Sequence, residues 1–301
     1  ILFGIGNAGV SIVIATTLIT EWFPGPERPM ALAVTSTGLS LGGVVLTPIS
    51  AFFITTEGLA FTMPLLGVLL VATVVPLSLL MRQAPNVNQS PSFATLEADT
   101  ALLKAAVSSQ FFRLLAAAYV LIMMAQVGGI AHLYSRVELL ADFQTAAYAV
   151  QALTISSISG RFMGGWLISR IPIRWFALGN LLLQIVGLTC FALAPSGGLA
   201  VLAAGLFGLS VGNLLMTQPL WLAEVYPPQI YPRVFARANA ISVMGVALGP
   251  YLLGLIFDAS PGATYTHSYF VAVVSSLAAL VIVLLASAGS KLSAYRDPTP
   301  E

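Results

Sequence analysis

A cation lies inside one of the apolar stretches of the chain. Residues 153–174 read LTISSISGRFMGGWLISRIPIR, and Arg170 and Arg174 mark the point where this stretch ends. Arg161 lies nine residues before Arg170, which is about 13 Å deeper along a helix. In a hydrocarbon layer about 30 Å thick, that depth is close to the middle. A cation at that depth is costly, so Arg161 is predicted to face a protein interior or a wet cavity.

The residues around Arg161 suggest what it could bind. Thr154, Ser157 and Arg161 lie within about 40° of one helix face at 100° per residue. This polar stripe ends in a planar guanidinium, which can hold a carboxylate through two parallel hydrogen bonds. The alternative is that Arg161 is a structural or gating residue bonded to backbone carbonyls or to a carboxylate elsewhere. Both interpretations stay open at this point.

Polar side chains also lie inside other apolar stretches, and Gln151 lies in the outer half of the stretch that carries Arg161. Five of them are further candidates for contact with a solute: Gln126, Gln151, Asn213, Thr217 and Tyr251. Asn213 and Thr217 share one helix face, and Tyr251 follows Pro250 at an expected kink. Buried amides and hydroxyls also bond between helices without any solute, so each candidate has a purely structural alternative.

Composition indicates an all-α membrane protein. The 301 residues are 58% hydrophobic and only 8% charged, which no soluble domain of this length needs. A net charge of +1 gives no reason to expect a nucleic-acid partner. The lone Cys190 and two distant histidines predict no metal site, and no cofactor is expected. No nucleophile–base pair or paired acids share one depth, so we do not expect an enzyme.

Hydropathy predicts nine membrane spans of roughly twenty residues or more. They cover about 1–20, 30–54, 58–81, 108–133, 143–168, 173–194, 197–221, 234–257 and 265–289. The polar stretch 82–107 is the longest break, and it separates three spans in 1–81 from six in 108–290. Residues 291–301 form a polar tail.

The lysines and arginines predict the orientation. Only Arg136 would lie outside, whereas ten basic residues would lie on the cytoplasmic side: Arg28, Arg82, Lys104, Arg113, Arg170, Arg174, Arg233, Arg237, Lys291 and Arg296. This bias follows the positive-inside rule. We therefore expect a multi-pass protein of the plasma (inner) membrane, with the 82–107 loop and the C-terminus in the cytoplasm.

Two distant segments resemble each other. Gly6-Asn7 and the loop after it match Gly212-Asn213 and its loop, about 200 residues later. Both copies continue into a pair of glycines four residues apart, Gly38/Gly42 and Gly245/Gly249. The stretch Gly4–Gly9 matches G-x-G-x-x-G, but it opens an apolar helix and favours close helix packing over dinucleotide binding. Equivalent helix pairs in one orientation are typical of a parallel repeat.

With this repeat, the chain resembles a major facilitator superfamily transporter. The resemblance implies that the nine spans are helices 4–12 of a twelve-helix bundle, so we expect an N-terminal truncation. Gly165-x-x-x-Ser169-Arg170-x-x-x-Arg174 resembles the family's cytoplasmic-loop gating motif G-x-x-x-D-R-x-G-R-R, with Ser169 where Asp is usual.

The segment Gly160-Arg161-x-x-Gly164-Gly165 is similar to the eighth helix of the monocarboxylate and oxalate/formate branch. In that branch this arginine is implicated in holding the substrate carboxylate. The resemblance implies a monomeric carrier, secondary active or facilitative, that moves a small carboxylate by alternating access with a coupling proton or an exchanged anion. The alternatives are a drug or metabolite efflux permease of the same superfamily, or a truncated membrane protein that does not transport.

Overall fold

The structure is a computed structural model that describes residues 12–23, 25, 27–82, 93–262 and 264–289. Throughout these ranges the secondary structure is helical, as the composition predicts. The Gly4–Gly9 motif, with Gly6-Asn7 of the first repeat copy, and the tail 291–301 lie outside the described residues.

The first group of helices consists of α1 (Ile12–Trp22), α2 (Arg28–Glu57) and α3 (Leu59–Leu80). Pro29 sits in the first turn of α2, where a missing N–H costs nothing. Gly58 separates α2 from α3 with φ 80°, a left-handed conformation that favours glycine. Almost all of α3 is exposed, as expected of an apolar helix that faces lipid.

Helix α4 (Phe93–Ser108) occupies the second half of the stretch 82–107, which the sequence predicts as a polar loop. Alanine and leucine dominate this half, and both favour helix strongly. The loop prediction gave weight to the prolines and polar residues before residue 93. The role of 82–107 as a connection between the two groups stays a prediction.

The second group contains seven helices: α5 (Gln110–Ala131), α6 (Leu133–Leu140), α7 (Phe143–Ile168), α8 (Ile173–Leu193), α9 (Gly197–Val225), α10 (Tyr231–Ala259) and α11 (Thr266–Gly289). Within it, α7 packs against α9, α5 packs against α10 and α11, and α8 packs against α9 and α11. The short helix α6 lies between two predicted spans and was not expected from hydropathy.

The count of nine spans is not confirmed. Among the described residues, six helices are long and apolar enough to cross a membrane: α3, α5, α8, α9, α10 and α11. Helices α2 and α7 are 30 and 26 residues long, but hydroxyl, glycine and, in α7, arginine residues lower their hydropathy. These two are the helices expected to need protein neighbours rather than lipid along part of their surface.

Two clusters of buried hydrophobic residues occupy different parts of the length of the second group. One contains Phe111, Trp221 and Tyr231, together with Leu32 and Ala33 of the first group. The other is built around residues such as Leu188, Phe207 and Tyr269. The first cluster lies where eight described basic residues gather: Arg28, Arg82, Lys104, Arg113, Arg170, Arg174, Arg233 and Arg237. We call this the basic end, and the prediction that it faces the cytoplasm rests on the positive-inside rule.

The two repeat glycine pairs differ in their surroundings. A β-carbon on Gly245 or Gly249 would overlap backbone atoms of Val120 or Met124, so α10 needs both glycines to approach α5. No atom of the described residues lies within 4 Å of a β-carbon placed on Gly38 or Gly42. Among the described residues, a close helix approach is therefore present at Gly245 and Gly249.

Candidate functional site

The site is organised by a close contact between α7 and α9. A β-carbon on Gly160 would overlap the carbonyl oxygen of Leu209, and one on Gly208 would overlap that of Leu153. Small residues on both helices thus bring the two backbones together, which is how membrane helices gain packing energy without a hydrophobic driving force. This contact fixes the α7 side chains next to it.

Arg161 lies in this contact and is only 3% exposed. Its side chain runs across Gly212 of α9, where a β-carbon would overlap Cγ and come within 3.1 Å of Nε. Ser157, one turn earlier on α7, is 2% exposed, and its carbonyl oxygen would be 2.6 Å from the same β-carbon. The prediction that Arg161 faces a protein interior is confirmed in the structure, and Gly212 provides the room it needs.

Helix α5 closes another side of this region through two polar side chains. Gln126 donates from Nε2 to the carbonyl oxygen of Val211 at 3.1 Å. Tyr119 donates from its hydroxyl to the carbonyl oxygen of Leu214, also at 3.1 Å. Tyr119 was missed by the sequence analysis, although it lies seven residues before Gln126 and therefore shares its helix face.

Two buried oxygen atoms in this region could accept a hydrogen bond. Among the described residues, Ser157 Oγ and Gln126 Oε1 have no hydrogen-bond partner. A buried polar atom without a partner is costly, so it is commonly paired with water or with a ligand. Both oxygens can accept hydrogen bonds, and Ser157 lies one turn from Arg161 on α7. Such a region suits a small polar molecule.

The seam between α2 and α7 lies on the same side of α7 as Arg161. A β-carbon on Gly165 would lie 2.9 Å from Ala33 Cβ and 3.4 Å from Met30 Cα. At 100° per residue, Arg161, Thr154 and Gln151 all lie within about 40° of Gly165 on α7. Along this face, Gly165 packs against α2, Arg161 is buried and Gln151 is exposed. Exposure to the surroundings therefore increases with distance from the basic end.

Two hydroxyls of α2 lie at the depth of Arg161. Ser36 and Thr37 are each 6% exposed, about one turn beyond Ala33. Arg161 is also one turn from Gly165, and the two helices are antiparallel across this contact. Each hydroxyl donates to the carbonyl oxygen of Ala33, at 3.1 and 2.8 Å, and keeps an accepting oxygen. Other residues with hydroxyl groups surround Ser36 and Thr37 in the sequence, so the sequence alone did not predict which hydroxyls would be buried.

The other sequence candidates among the described residues either bond within their own helix or are exposed. Thr217 is buried, but its hydroxyl donates to the carbonyl oxygen of Asn213 at 2.6 Å within the same helix. Thr154 likewise donates to the carbonyl oxygen of Val150, at 2.8 Å. Tyr251 is 62% exposed on α10, a helix that packs on α5 and α11 rather than on α7.

Asn213 faces a different cavity. A β-carbon on Gly164 would overlap its Oδ1 atom. The amide lines a cavity of about 240 Å³ between α7, α8 and α9. Because Gly164 and Gly165 point about 100° apart on α7, this cavity is separate from the seam with α2.

The loop motif has a local structural role in the described residues. Ser169 Oγ and Arg170 Nη1 both donate to the carbonyl oxygen of Trp166, at 2.7 and 3.1 Å, and so cap the end of α7. The Arg174 guanidinium carbon lies 5.3 Å from the centre of the Trp175 ring. Gly165 provides the contact with α2 described above. Gating by these residues stays a prediction.

Arg136 is a second buried arginine, which the sequence analysis placed outside the membrane and gave no role. It is 7% exposed on α6, far from the basic end. Its Nε and Nη2 donate to the carbonyl oxygens of Phe191 and Ala192 at 3.0 and 2.7 Å. The guanidinium also lies 5.7 Å from the centre of the Tyr269 ring. It therefore caps the end of α8 and is not part of the site.

The comparisons with known proteins agree with this architecture. The model of the Major Facilitator Superfamily (MFS) matches residues 1–221 and, in a second overlapping match, residues 138–300. The chain belongs to the Major Facilitator Superfamily. An MFS chain of known structure, the fucose:proton symporter of Escherichia coli, has a similar fold with a TM-score of 0.70 at 16% identity. The alignment covers 91% of this chain and 72% of that one.

Curated MFS relatives match over shorter stretches. Inositol transporter 4 of Arabidopsis thaliana is 27% identical over 45% of this chain and 23% of its own length. The galactose-proton symporter of Escherichia coli K12 is 28% identical over 38% of this chain and 24% of its own length. An uncharacterized MFS-type transporter of Escherichia coli K12 is 25% identical over 75% of this chain and 56% of its own length. The chain thus spans about a quarter of the length of the first relatives. These matches give no support to the monocarboxylate and oxalate/formate branch.

Proposed function

We propose that the protein carries a small polar organic solute across a membrane, and that the solute binds beside Arg161. The observation that carries the proposal is the burial of this arginine in the α7–α9 contact, next to the seam with α2. Residues of both helix groups, Arg161 and Ser157 on one side and Ser36 and Thr37 on the other, would contact the solute. Rocking of the two groups around that point would give alternating access.

Two solute classes fit different observations. A guanidinium beside accepting and donating groups favours a small carboxylate, because the planar fork pairs with its two oxygens. The amide and hydroxyl groups of Gln126, Ser157, Ser36 and Thr37 favour a hydroxyl-rich solute, which is the class named for the inositol and galactose relatives. A coupling proton, as named for the galactose symporter, is compatible with either class.

The two classes separate in a binding measurement on the purified full-length carrier. A solute that binds only the folded protein raises its unfolding temperature. We would measure this shift with a panel of small carboxylates and a panel of sugars and polyols, in the wild type and in Arg161→Gln and Gln126→Ala.

A shift with carboxylates that disappears in Arg161→Gln identifies a carboxylate carrier. A shift with polyols that weakens in Gln126→Ala as well as Arg161→Gln identifies a hydroxyl-rich solute. Binding that is unchanged in both variants would contradict the proposed site for either class.

A further inference from the structure

The cavity next to Asn213 lies on a surface that the proposed transport route does not use. It is formed by α7 and α8 as walls and α9 as the floor, with a volume of about 240 Å³. Met163 and Trp175 on its walls are 63% and 60% exposed, so the cavity is a groove open to the surroundings. The walls are apolar, as expected of a surface in contact with hydrocarbon.

The groove contains an unpaired polar atom deep inside. Asn213 is 6% exposed, and its Oδ1 has no hydrogen-bond partner among the described residues. Its position on the floor of the groove leaves it able to accept a hydrogen bond from an occupant or from a water molecule carried with one.

Two arginines each precede a residue that lines the groove near the basic end: Arg170 comes before Ile171 and Arg174 before Trp175. The Arg170 guanidinium carbon lies 3.8 Å from the centre of the Trp166 ring, and that of Arg174 lies 5.3 Å from the ring of Trp175, which lines the groove. Arg174 Nε is buried without a hydrogen-bond partner in the described part of the chain. Tryptophan and arginine together are typical of the interface between lipid tails and headgroups.

We propose that this groove binds an anionic phospholipid, with the phosphate at Arg170 and Arg174 and an acyl chain along α7 and α8. Charge complementarity favours a negative headgroup, since guanidinium groups pair with phosphate oxygens. Basic pockets between membrane helices on the cytoplasmic side commonly hold such headgroups. The predicted cytoplasmic position of the basic end agrees with the leaflet in which anionic lipids are enriched.

The test uses the full-length carrier reconstituted in bilayers of phosphatidylcholine and phosphatidylglycerol. After transfer into detergent, mass spectrometry of the intact protein gives the ratio of the two lipids that remain bound. We expect the wild type to retain phosphatidylglycerol preferentially. In Arg170→Gln/Arg174→Gln the preference should fall by at least about fivefold, the factor expected for one arginine near an anionic surface.

A second variant tests whether an acyl chain occupies the groove, independently of the arginine charges. Gly179 lines the groove, and no atom in the described part of the chain lies within 4 Å of a β-carbon placed on it. Gly179→Leu should therefore fill the groove without disturbing the backbone and should also lower retention of phosphatidylglycerol.

The matched control is Arg233→Gln/Arg237→Gln, which removes two exposed arginines of the basic end on α10. It should leave the preference unchanged. An equal loss in this control would mean general electrostatic attraction, and unchanged retention in Gly179→Leu would mean that no acyl chain lies in the groove. Either result overturns the proposal.

Discussion

The side chain of Arg161 occupies space that a β-carbon at position 212 would need. Cγ of Arg161 lies against Gly212, and the carbonyl oxygen of Ser157 is 2.6 Å from the same β-carbon position. The placement of the buried cation on α7 therefore depends on a glycine on α9. A substitution of Gly212 should therefore disturb the site, although glycine has no side chain that could contact a solute.

Gly212→Ala should disturb both the site and the helix contact. The added methyl group overlaps Arg161, so α7 and α9 must separate or the arginine must move, which typically costs about 1–3 kcal/mol. We expect a lower unfolding temperature and a loss of solute binding. Gly205→Ala is the control in the same contact, because its methyl group would meet Ser156 Oγ at 3.3 Å. Equal effects of the two changes would contradict the account.

Arg136→Gln should destabilise the protein without changing solute affinity. The guanidinium donates to the carbonyl oxygens of Phe191 and Ala192. Phe191 keeps a hydrogen bond from the Ala194 N–H at 3.4 Å, so the loss chiefly leaves the Ala192 carbonyl oxygen without its donor. A buried group left unpaired costs about 1–3 kcal/mol. Thermal unfolding in detergent measures the loss, and Arg113→Gln, an exposed arginine at the start of α5, is the comparison. A large change in affinity would instead place Arg136 in the transport route.

Asp142 makes a small part of the stability depend on pH. Its carboxylate accepts hydrogen bonds from the Thr145 N–H at 2.9 Å and the Thr145 hydroxyl at 2.8 Å, and so caps α7. These bonds, the backbone one first, hold the pKa of Asp142 below its usual value. The stabilisation is therefore fully present above the pKa of the unfolded chain, which is about 4. It is lost as the pH falls through the lower pKa of the folded state.

The check is a comparison of unfolding temperatures across this acidic range. Asp142→Asn keeps a good capping group and should remove only the dependence on pH, whereas Asp142→Ala should lower stability at neutral pH too. If Asp142→Asn retained the full pH dependence of the wild type, another group would be responsible.

The sequence predicted those features that rest on local chemistry. An arginine within an apolar stretch is visible without any structure, and the burial of Arg161 followed from the cost of a charge in hydrocarbon. The resemblance of the spans and loop motif to one superfamily led to the right family. The carboxylate branch rested on a few residues around Gly160, and too few positions were involved to decide a branch.

Other features depend on which helix faces meet, and the sequence does not record this. Asn213 and Ser157 look alike as mid-depth polar residues, yet Ser157 lies with Arg161 in the α7–α9 contact and Asn213 lines a separate groove. Arg136 looked like a loop residue because it falls between two predicted spans, but it lies on the short helix α6 and its guanidinium reaches the carbonyl oxygens at the end of α8. Ser36 and Thr37 are hidden among several hydroxyls of α2 that differ only in the direction they face.

Solute transport by Arg161 variants of the full-length carrier tests the central claim most directly. Once a transported solute is known, uptake is measured in the wild type, Arg161→Gln and Arg161→Lys, with Arg113→Gln as the control for charge alone. A charged hydrogen bond contributes about 1.5–3 kcal/mol, so Arg161→Gln should weaken apparent affinity by about 10- to 150-fold. Arg161→Lys should recover only part of it, because the charge returns without the planar fork. Uptake by folded Arg161→Gln at the wild-type affinity would contradict the account.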